Sequence, residues 1–325
     1  MNNKMTKAFI IIIIILLITN CNENKNTSFD SVLNANEKFV FLETHDKSSS
    51  RGAGHFMDLV IMDGKYFKKY YITNDIFIDE TPSISSDGKY IAFFSAREGN
   101  PLILQIEGLG AHRKFYLFNC ETKSYKKISD KDFLYGYSSE IFFYKDTTEF
   151  IYSKNDTIKT FNVNTNEEKI LKIIKGNFDL NKILFSQEKN IMVLYGSSKN
   201  IIVWNIKTKK EFKISLSDFA DLGSINKEGD KFLYTTVKNH YLYEYDIKKR
   251  NSRKIDLPRS NIAFPVYWSN FYYTKDGYIV GIASDKYKTD DNSEREIVAY
   301  NIKTKKYRYL TKDGLQKYSL LYWNK

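Results

Sequence analysis

The chain has 325 residues, more than one ordinary core requires but normal for a repeat protein whose units share small cores. Two cysteines are too few to staple such a fold with disulfides. The formal charge of +11 suits anionic partners, yet it accompanies a general abundance of Ile, Lys, Asn, Tyr and Phe, so where the lysines fall carries the information.

At the N-terminus Lys4 and Lys7 precede an unbroken apolar run from Ala8 to Ile18, short for a bilayer span and laid out like the core of a signal peptide. Thr19 and Asn20 lead to Cys21 and a polar stretch. The segment resembles the lipobox of bacterial lipoproteins, although Ile18 stands where Leu is commoner and Asn20 where Gly, Ala or Ser is usual. The resemblance implies a signal peptide over 1–20, lipidation at Cys21, and attachment to a membrane of the bacterial envelope through acyl chains. An uncleaved anchor and a plain secretory signal with a chance cysteine are the alternatives. Removing 1–20 deletes two lysines and no acid and leaves +9. Residues 21–36 read as a polar tether, and Cys120, placed in a repeat strand, as a small buried hydrophobe without a partner.

The rest of the chain repeats. An alternating strand ending in Asn or Asp recurs at Asp63, Asn119, Asn162, Asn205, Asp246 and Asn301, with spacings of 56, 43, 43, 41 and 55. The two long intervals accommodate inserted loops at 101–113 and 286–295. Upstream of each Asn or Asp lies a hairpin, clearest at 81–100, where two alternating strands flank Asp87 and Gly88 and predict a two-residue turn. Four antiparallel strands per repeat and six repeats predict an all-β, six-bladed propeller over 37–325. The first copy lacks an inner strand, and residues 317–325 form a strand with nothing after it. The C-terminal strand is therefore expected to complete blade 1 and close the ring.

Residues 82–100 are similar to the repeat of TolB-like propellers: Pro82, Ser85, Asp87, Gly88, Lys89, Ile91, Ala92, Phe93, Ser95, Arg97, Gly99 and Asn100 agree with it, whereas Ile84 replaces Trp and Ser86 replaces Pro. The other copies agree mainly in period. The resemblance implies six blades and a role as a protein-binding partner in the bacterial envelope. The extra N-terminal domain usual in that family is expected to be missing.

Within a blade, the turns between strands one and two and between three and four share one face. The two-to-three loops and the inter-blade loops share the other. Most of the three-to-four turns carry lysines, a basic rim that either attracts an anionic lipid surface or guards the outer strands against edge pairing. The opposite, loop face carries Asp75, Asp79, Glu80, Asp130, Asp132, Asp179, Asp218 and Asp221, together with His45, His55, His112 and His240. Those histidines lack metal-ligand spacing, so no metal or other cofactor is expected. There is no GxSxG elbow and no phosphate loop. Asp290 and Asp291 lie in an inserted polar loop, and no catalytic residue is assigned.

The candidate contact residues are Asp79, Glu80, Asp130, Tyr135, Tyr137, Phe264, Tyr267 and Trp268, around the mouth. The sequence thus describes a lipid-anchored propeller that binds an envelope protein without catalysis and without nucleic acid. A glycan-processing or metal-dependent enzyme using the acidic mouth, and a surface adhesin, are the alternatives.

Overall fold

The computed structural model describes residues 36–324 except 45–56, 76, 99–112, 130–136, 146–147, 176–177, 179, 197–198, 258–261, 266–269, 275–276 and 286–294. The signal segment, Cys21 and almost all of the tether lie outside the described residues, as do nearly all of the two inserted loops. Among the described residues there is no helix. The strands form six antiparallel sheets.

Blade 1 runs, from the centre outward, Lys317–Asn324, Glu37–Thr44, Met57–Asp63 and Lys69–Tyr71. Blade 2 follows with Asp79–Ile84, Tyr90–Ser95, Lys114–Asn119 and Ser124–Ser129, and blade 3 with Tyr137–Phe143, Glu149–Lys154, Thr157–Asn162 and Glu167–Ile173. Blade 4 comprises Leu180–Ser186, Ile191–Gly196, Asn200–Asn205 and Glu211–Ser215. Blade 5 comprises Ala220–Ile225, Lys231–Thr236, Leu242–Asp246 and Asn251–Ile255. Blade 6 has a split inner strand, Ile262–Ala263 and Phe271–Tyr273, then Tyr278–Asp285, Arg295–Asn301 and Lys306–Tyr309.

The ring closes as the chain ends predict. The C-terminal strand pairs with the first one, Val40 opposite Leu321 and Phe39 opposite Tyr322, so both ends of the chain share one sheet. The inner strands follow each other round the axis and the last touches the first.

Each blade is a two-sided layer, which explains why the second and third strands read as nearly continuous apolar runs. Along Glu37–Thr44, Phe39 and Phe41 pack on blade 6, while Val40 and Leu42 pack on blade 2. Ile91 and Phe93 likewise face blade 1, and Ala92 and Phe94 face blade 3. Six such cores sit between adjacent blades. Each buried Phe within them contributes roughly 1.5–3 kcal/mol through the water it sheds. A one-residue slip of any strand would exchange its two cores, so the pattern fixes register.

The repeated Asn or Asp ends the third strand in every blade, and its side chain explains its recurrence. Asn119 accepts the backbone N–H groups of Glu121 and Thr122 at 2.7 and 3.2 Å, Asn162 those of Asn164 and Thr165 at 2.9 and 3.1 Å, and Asn301 those of Lys303 and Thr304 at 3.0 and 2.8 Å. Asp63, Asn205 and Asp246 cap their turns in the same way. Only short polar side chains bond their own turn like this. Four residues beyond each one, Phe67, Lys123, Asn166, Lys209, Arg250 and Lys305 take left-handed backbone, with φ between 55° and 60°. The turn geometry, more than the lysines within it, is what repeats. Cys120 falls in one of these turns rather than in the strand before it; it is buried, which pushes its thiol up to about 11.

The inner hairpin of blade 2 differs from the expected two-residue turn. The Ser85 N–H donates to the Tyr90 carbonyl at 2.9 Å, leaving residues 86–89 as a four-residue connection. Ser85 Oγ donates to Asp87 Oδ1 at 2.6 Å and accepts the Tyr90 N–H at 3.0 Å, and Gly88 takes φ 71°. The serine and aspartate therefore shape a wider loop than a bare Asp-Gly pair implies.

Candidate functional site

The six inner strands enclose an axial channel of about 270 Å³. Each inner strand breaks its alternation where it faces this space. Register slips between Tyr318 and Leu321, opposite Val40 and Leu42, between Glu80 and Ser83, between Tyr137 and Ile141, between Leu180 and Lys182, and between Leu222 and Ile225. Blade 6 carries the largest interruption, between its two short inner strands. Bulges kink a strand and re-aim its side chains. Thr81 and Ser319 sit in two of them with φ of 44° and 47°. The lining that results is mixed: small polar residues such as Thr81, Ser83, Asn181, Ser224, Asn270 and Ser319 alternate with aliphatic and aromatic ones, Phe142, Phe185 and Tyr272 among them.

Three charges from successive blades meet at the channel. Glu140 of blade 3 accepts the Ile183 N–H at 2.9 Å, and Lys182 of blade 4 lies 3.4 Å from Asp221 of blade 5. Burial pushes the Glu140 carboxyl up to about 7, against the pull of Lys182 and the Ile183 N–H and with a small push from Asp221. Tyr272 is raised by burial and by the Glu140 charge. Towards the hairpin face the channel widens into a recess of about 510 Å³ whose wall includes Tyr273, Gln187, Lys227 and Trp323. None of these residues stood among the sequence candidates. Polar residues interrupting otherwise apolar inner strands were the available signal.

On the loop face, the described acids are tied into the scaffold. Asp79 is fully buried, with Arg97 Nη2 3.0 Å from its Oδ1 and 3.5 Å from Asp75 Oδ2. Arg97 also donates to Ser95 Oγ at 2.8 Å and stacks over Tyr125 and Tyr116, 4.4 and 5.1 Å from their ring centres. Burial pushes Asp79 up to about 6 against the pull of Arg97. Glu80 pairs with Arg113, and burial raises it to about 7. Asp218 accepts the backbone N–H of Phe219 at 2.8 Å and of Lys238 at 3.2 Å. Phe264 is buried in the core between blades 5 and 6, packed against Tyr300 and Tyr307. His240 is exposed in a left-handed turn of blade 5, at φ 50°. Tyr137 opens the inner strand of blade 3. Asp130, Asp132, Tyr135, Asp179, Tyr267, Trp268, His45, His55, His112, Asp290 and Asp291 lie outside the described residues. Among the described residues no group of three His, Cys, Asp or Glu is placed to hold a metal ion.

The same face contains a second, shorter repeat. Thr73 Oγ1 accepts the Leu59 N–H at 2.7 Å and Asp58 accepts the Asp75 N–H at 3.1 Å; Thr311 Oγ1 accepts the Ile297 N–H at 2.8 Å and Glu296 accepts the Asp313 N–H at 3.0 Å. Asp75 then meets Arg97, and Asp313 meets Lys69 and Lys317. Lys317 is fully buried, 3.4 Å from Glu43 and 3.3 Å from Glu296. This charge network joins blade 6 to the C-terminal strand at the ring closure. Its signal in the sequence is Ile/Leu-Thr-x-Asp at 72–75 and 310–313.

Two exposed aromatics of the loop face lie together on blade 5. Phe219 precedes its inner strand and Tyr241 its third strand, and they are 46% and 42% exposed. The Lys199 and Lys254 ammonium groups lie 4.7 and 3.2 Å from their ring centres.

No family model matches the chain, and no curated protein does. Solved structures do match in fold. TolB from Acinetobacter baumannii superposes with a TM-score of 0.64 at 13% identity over 88% of this chain, which spans 66% of the TolB chain, just under two thirds. A chain of a nidogen/laminin complex gives 0.60 at 7% identity, covering 88% of this chain and 98% of that one. An oligogalacturonate lyase in complex with manganese gives 0.51 at 13% identity, covering 85% and 74%. At these identities the likeness is one of fold, and it agrees with the residue pattern at 82–100: the architecture is that of a TolB-like six-bladed propeller.

Proposed function

We propose that this chain is a protein-binding propeller of the bacterial envelope, held to a membrane through an acylated Cys21 and engaging its partner with the loop face. The observation that carries the binding surface is the pair Phe219 and Tyr241, exposed on one blade with a lysine against each ring. Aromatic side chains that are exposed to solvent are enriched among interface anchors, and the lysines beside them add a charge that favours an acidic partner surface. Tyr135, Tyr137, Tyr267 and Trp268 are further proposed contacts on that face. Asp79, Glu80 and Phe264 serve it as supports, because their own bonds and packing are internal. On the loop face, binding rather than catalysis also suits Asp79 and Glu80, which are matched with Arg97 and Arg113. The anchor reading rests on the segment from Lys4 to Cys21.

The test is a photocrosslinking residue at Phe219 in intact cells, compared with one at Lys169 on the outer edge of blade 3. A protein adduct formed from Phe219 alone supports the proposal. Equal adducts from both positions, or turnover of envelope polysaccharides by the purified chain that Asp79→Asn abolishes, would overturn it.

A further inference from the structure

We infer that the hairpin face is a docking surface for anionic lipid, so that the basic turns lie against the membrane and the loop face points away from it. The inference rests on the lipid-anchored reading for its setting, but its grounds are geometric.

The first ground is where the chain enters the fold. Glu37 begins the second strand of blade 1 on the hairpin face: it pairs with Asn324, its carbonyl accepts the Gly64 N–H at 2.8 Å, and its carboxylate accepts the Tyr322 hydroxyl at 2.8 Å. The chain therefore enters the propeller on that side. A lipid at Cys21 would tether the propeller from the side that carries the three-to-four turns.

The second ground is the distribution of charge on that face. The turns at 206–210, 247–250 and 302–305 each carry two or three exposed Lys or Arg residues, and the blade 1 turn adds Lys65. These turns belong to blades 4, 5, 6 and 1, a continuous arc that ends at the blade where the chain enters. The corresponding turn of blade 2 holds one Glu and one Lys, and that of blade 3 holds no charge. Lys207, Lys209 and Lys210 have no carboxylate partner among the described residues. Three others have acid partners: Lys248 lies 3.5 Å from Asp230, Lys249 3.6 Å from Asp246 and Lys305 3.9 Å from Asp256. A carboxylate at that distance offsets part of a lysine's charge, so Lys207, Lys209 and Lys210 contribute most strongly to the field of the arc.

Protection of edge strands does not account for this arc. The residues sit in turns, whose backbone groups are already bonded by Asn205, Asp246 and Asn301 and present no edge to another strand. A third feature adds apolar contact at the point of entry. Tyr66, in the blade 1 turn, is 61% exposed, with the Lys65 ammonium 4.7 Å from its ring centre. Tyrosine beside lysine suits the boundary between headgroups and water.

Every blade is completed within Glu37–Asn324, so a chain beginning at Asn22 retains the whole propeller and can be tested without its anchor. The probe is sedimentation with phosphatidylcholine vesicles, with and without about 30% phosphatidylglycerol, at low and high salt. The expected result is binding that requires phosphatidylglycerol, falls with salt, and weakens at least about tenfold in Lys207→Glu/Lys209→Glu/Lys210→Glu. The loop-face variant Lys175→Glu/Lys238→Glu/Lys312→Glu changes net charge equally and should keep its binding. If the first variant melts early, the corresponding Lys→Gln changes replace it. Equal sedimentation with both vesicle types, or equal losses in the two variants, would overturn the inference. Membrane fractionation of Cys21→Ala in cells, with a high-salt wash that strips electrostatic docking, tests the anchor separately: a soluble Cys21→Ala protein that ignores anionic vesicles refutes only the docking face, and one that stays membrane-bound through the wash refutes only the anchor.

Discussion

The Trp323 indole covers Gly88, closing the ring from the C-terminal strand onto the hairpin of blade 2. Its Nε1–H donates to the Ser86 carbonyl at 2.9 Å, and a Cβ placed on Gly88 would lie 2.5 Å from the ring. Lys38 adds a bond of 2.9 Å to the Gly88 carbonyl and lies 4.9 Å from the indole centre. Gly277 occupies the equivalent turn of blade 6 at φ 77°, with nothing within 4 Å of its Cβ position. Gly277→Ala should therefore cost only the left-handed backbone, about 1–2 kcal/mol. Gly88→Ala must pay that cost and also displace Trp323, so it should lose at least about 1 kcal/mol more. Denaturant midpoints of the two variants measure the difference, and equal losses would mean that Trp323 does not secure the closure.

Removing residues 317–325 takes away an entire inner strand, and with it the pairing that joins the two ends of the chain. It should abolish cooperative unfolding. A finer test is Lys317→Met, which leaves Glu43 and Glu296 buried without their shared cation. Breaking one partner of a buried pair typically costs about 3–5 kcal/mol. Asp313 belongs to the same network: burial raises its carboxyl, but bonds from Lys317 and Lys69 outweigh this and hold it down at about 2. Its contribution is present above the ordinary value of 3.8 and is lost as pH falls through about 2. Asp313→Asn should flatten the acid limb of the stability curve, and a limb identical to that of the unaltered protein would remove Asp313 from the closure.

Glu140 works in the opposite sense. The folded chain keeps its proton up to about 7, whereas the unfolded chain releases it near 4.5. Between these values the unfolded state binds fewer protons, so stability is greatest below 4.5 and declines as pH rises towards 7. The shift corresponds to about 3 kcal/mol. Asp79 and Glu80 add slopes of the same sign. Glu140→Gln should therefore be more stable than the unaltered protein at neutral pH and less sensitive to pH across this window. Thermal melts that track each other at every pH would show that Glu140 titrates normally.

Much of the fold could be read because its causes are local. Asn119, Asn162 and Asn301 bond their own turns, and Phe39 and Val40 alternate between two neighbouring cores, so both leave a period in the sequence. The strand missing before Glu37 and the unpaired one at the chain end fixed the closure. What escaped depends on distant partners. Asp79 and Glu80 look like mouth acids until Arg97 and Arg113 fold against them, and Phe264 reads as a surface aromatic until Tyr300 and Tyr307 enclose it. The channel charges come from three separate blades, and nothing in the spacing of Glu140, Lys182 and Asp221 announces their meeting.

The repeated turn offers a prediction in which sequence and backbone disagree. Lys305 holds left-handed backbone at φ 55°, a conformation that costs a side chain with a Cβ about 1 kcal/mol. Asn166 takes φ 58° at the same place in blade 3, but Asn tolerates this region. Lys305→Gly relieves the strain while freeing the unfolded chain, for a net gain of about 0.5 kcal/mol. Asn166→Gly relieves less and should be neutral or slightly destabilising. Asn301→Ala, which strips the acceptor from the Lys303 and Thr304 N–H groups, should cost about 1 kcal/mol. Chemical denaturation of the three variants ranks them. If Lys305→Gly is no more stable than Asn166→Gly, the turn relaxes around its lysine, and the repeat is maintained by the Asn bond alone.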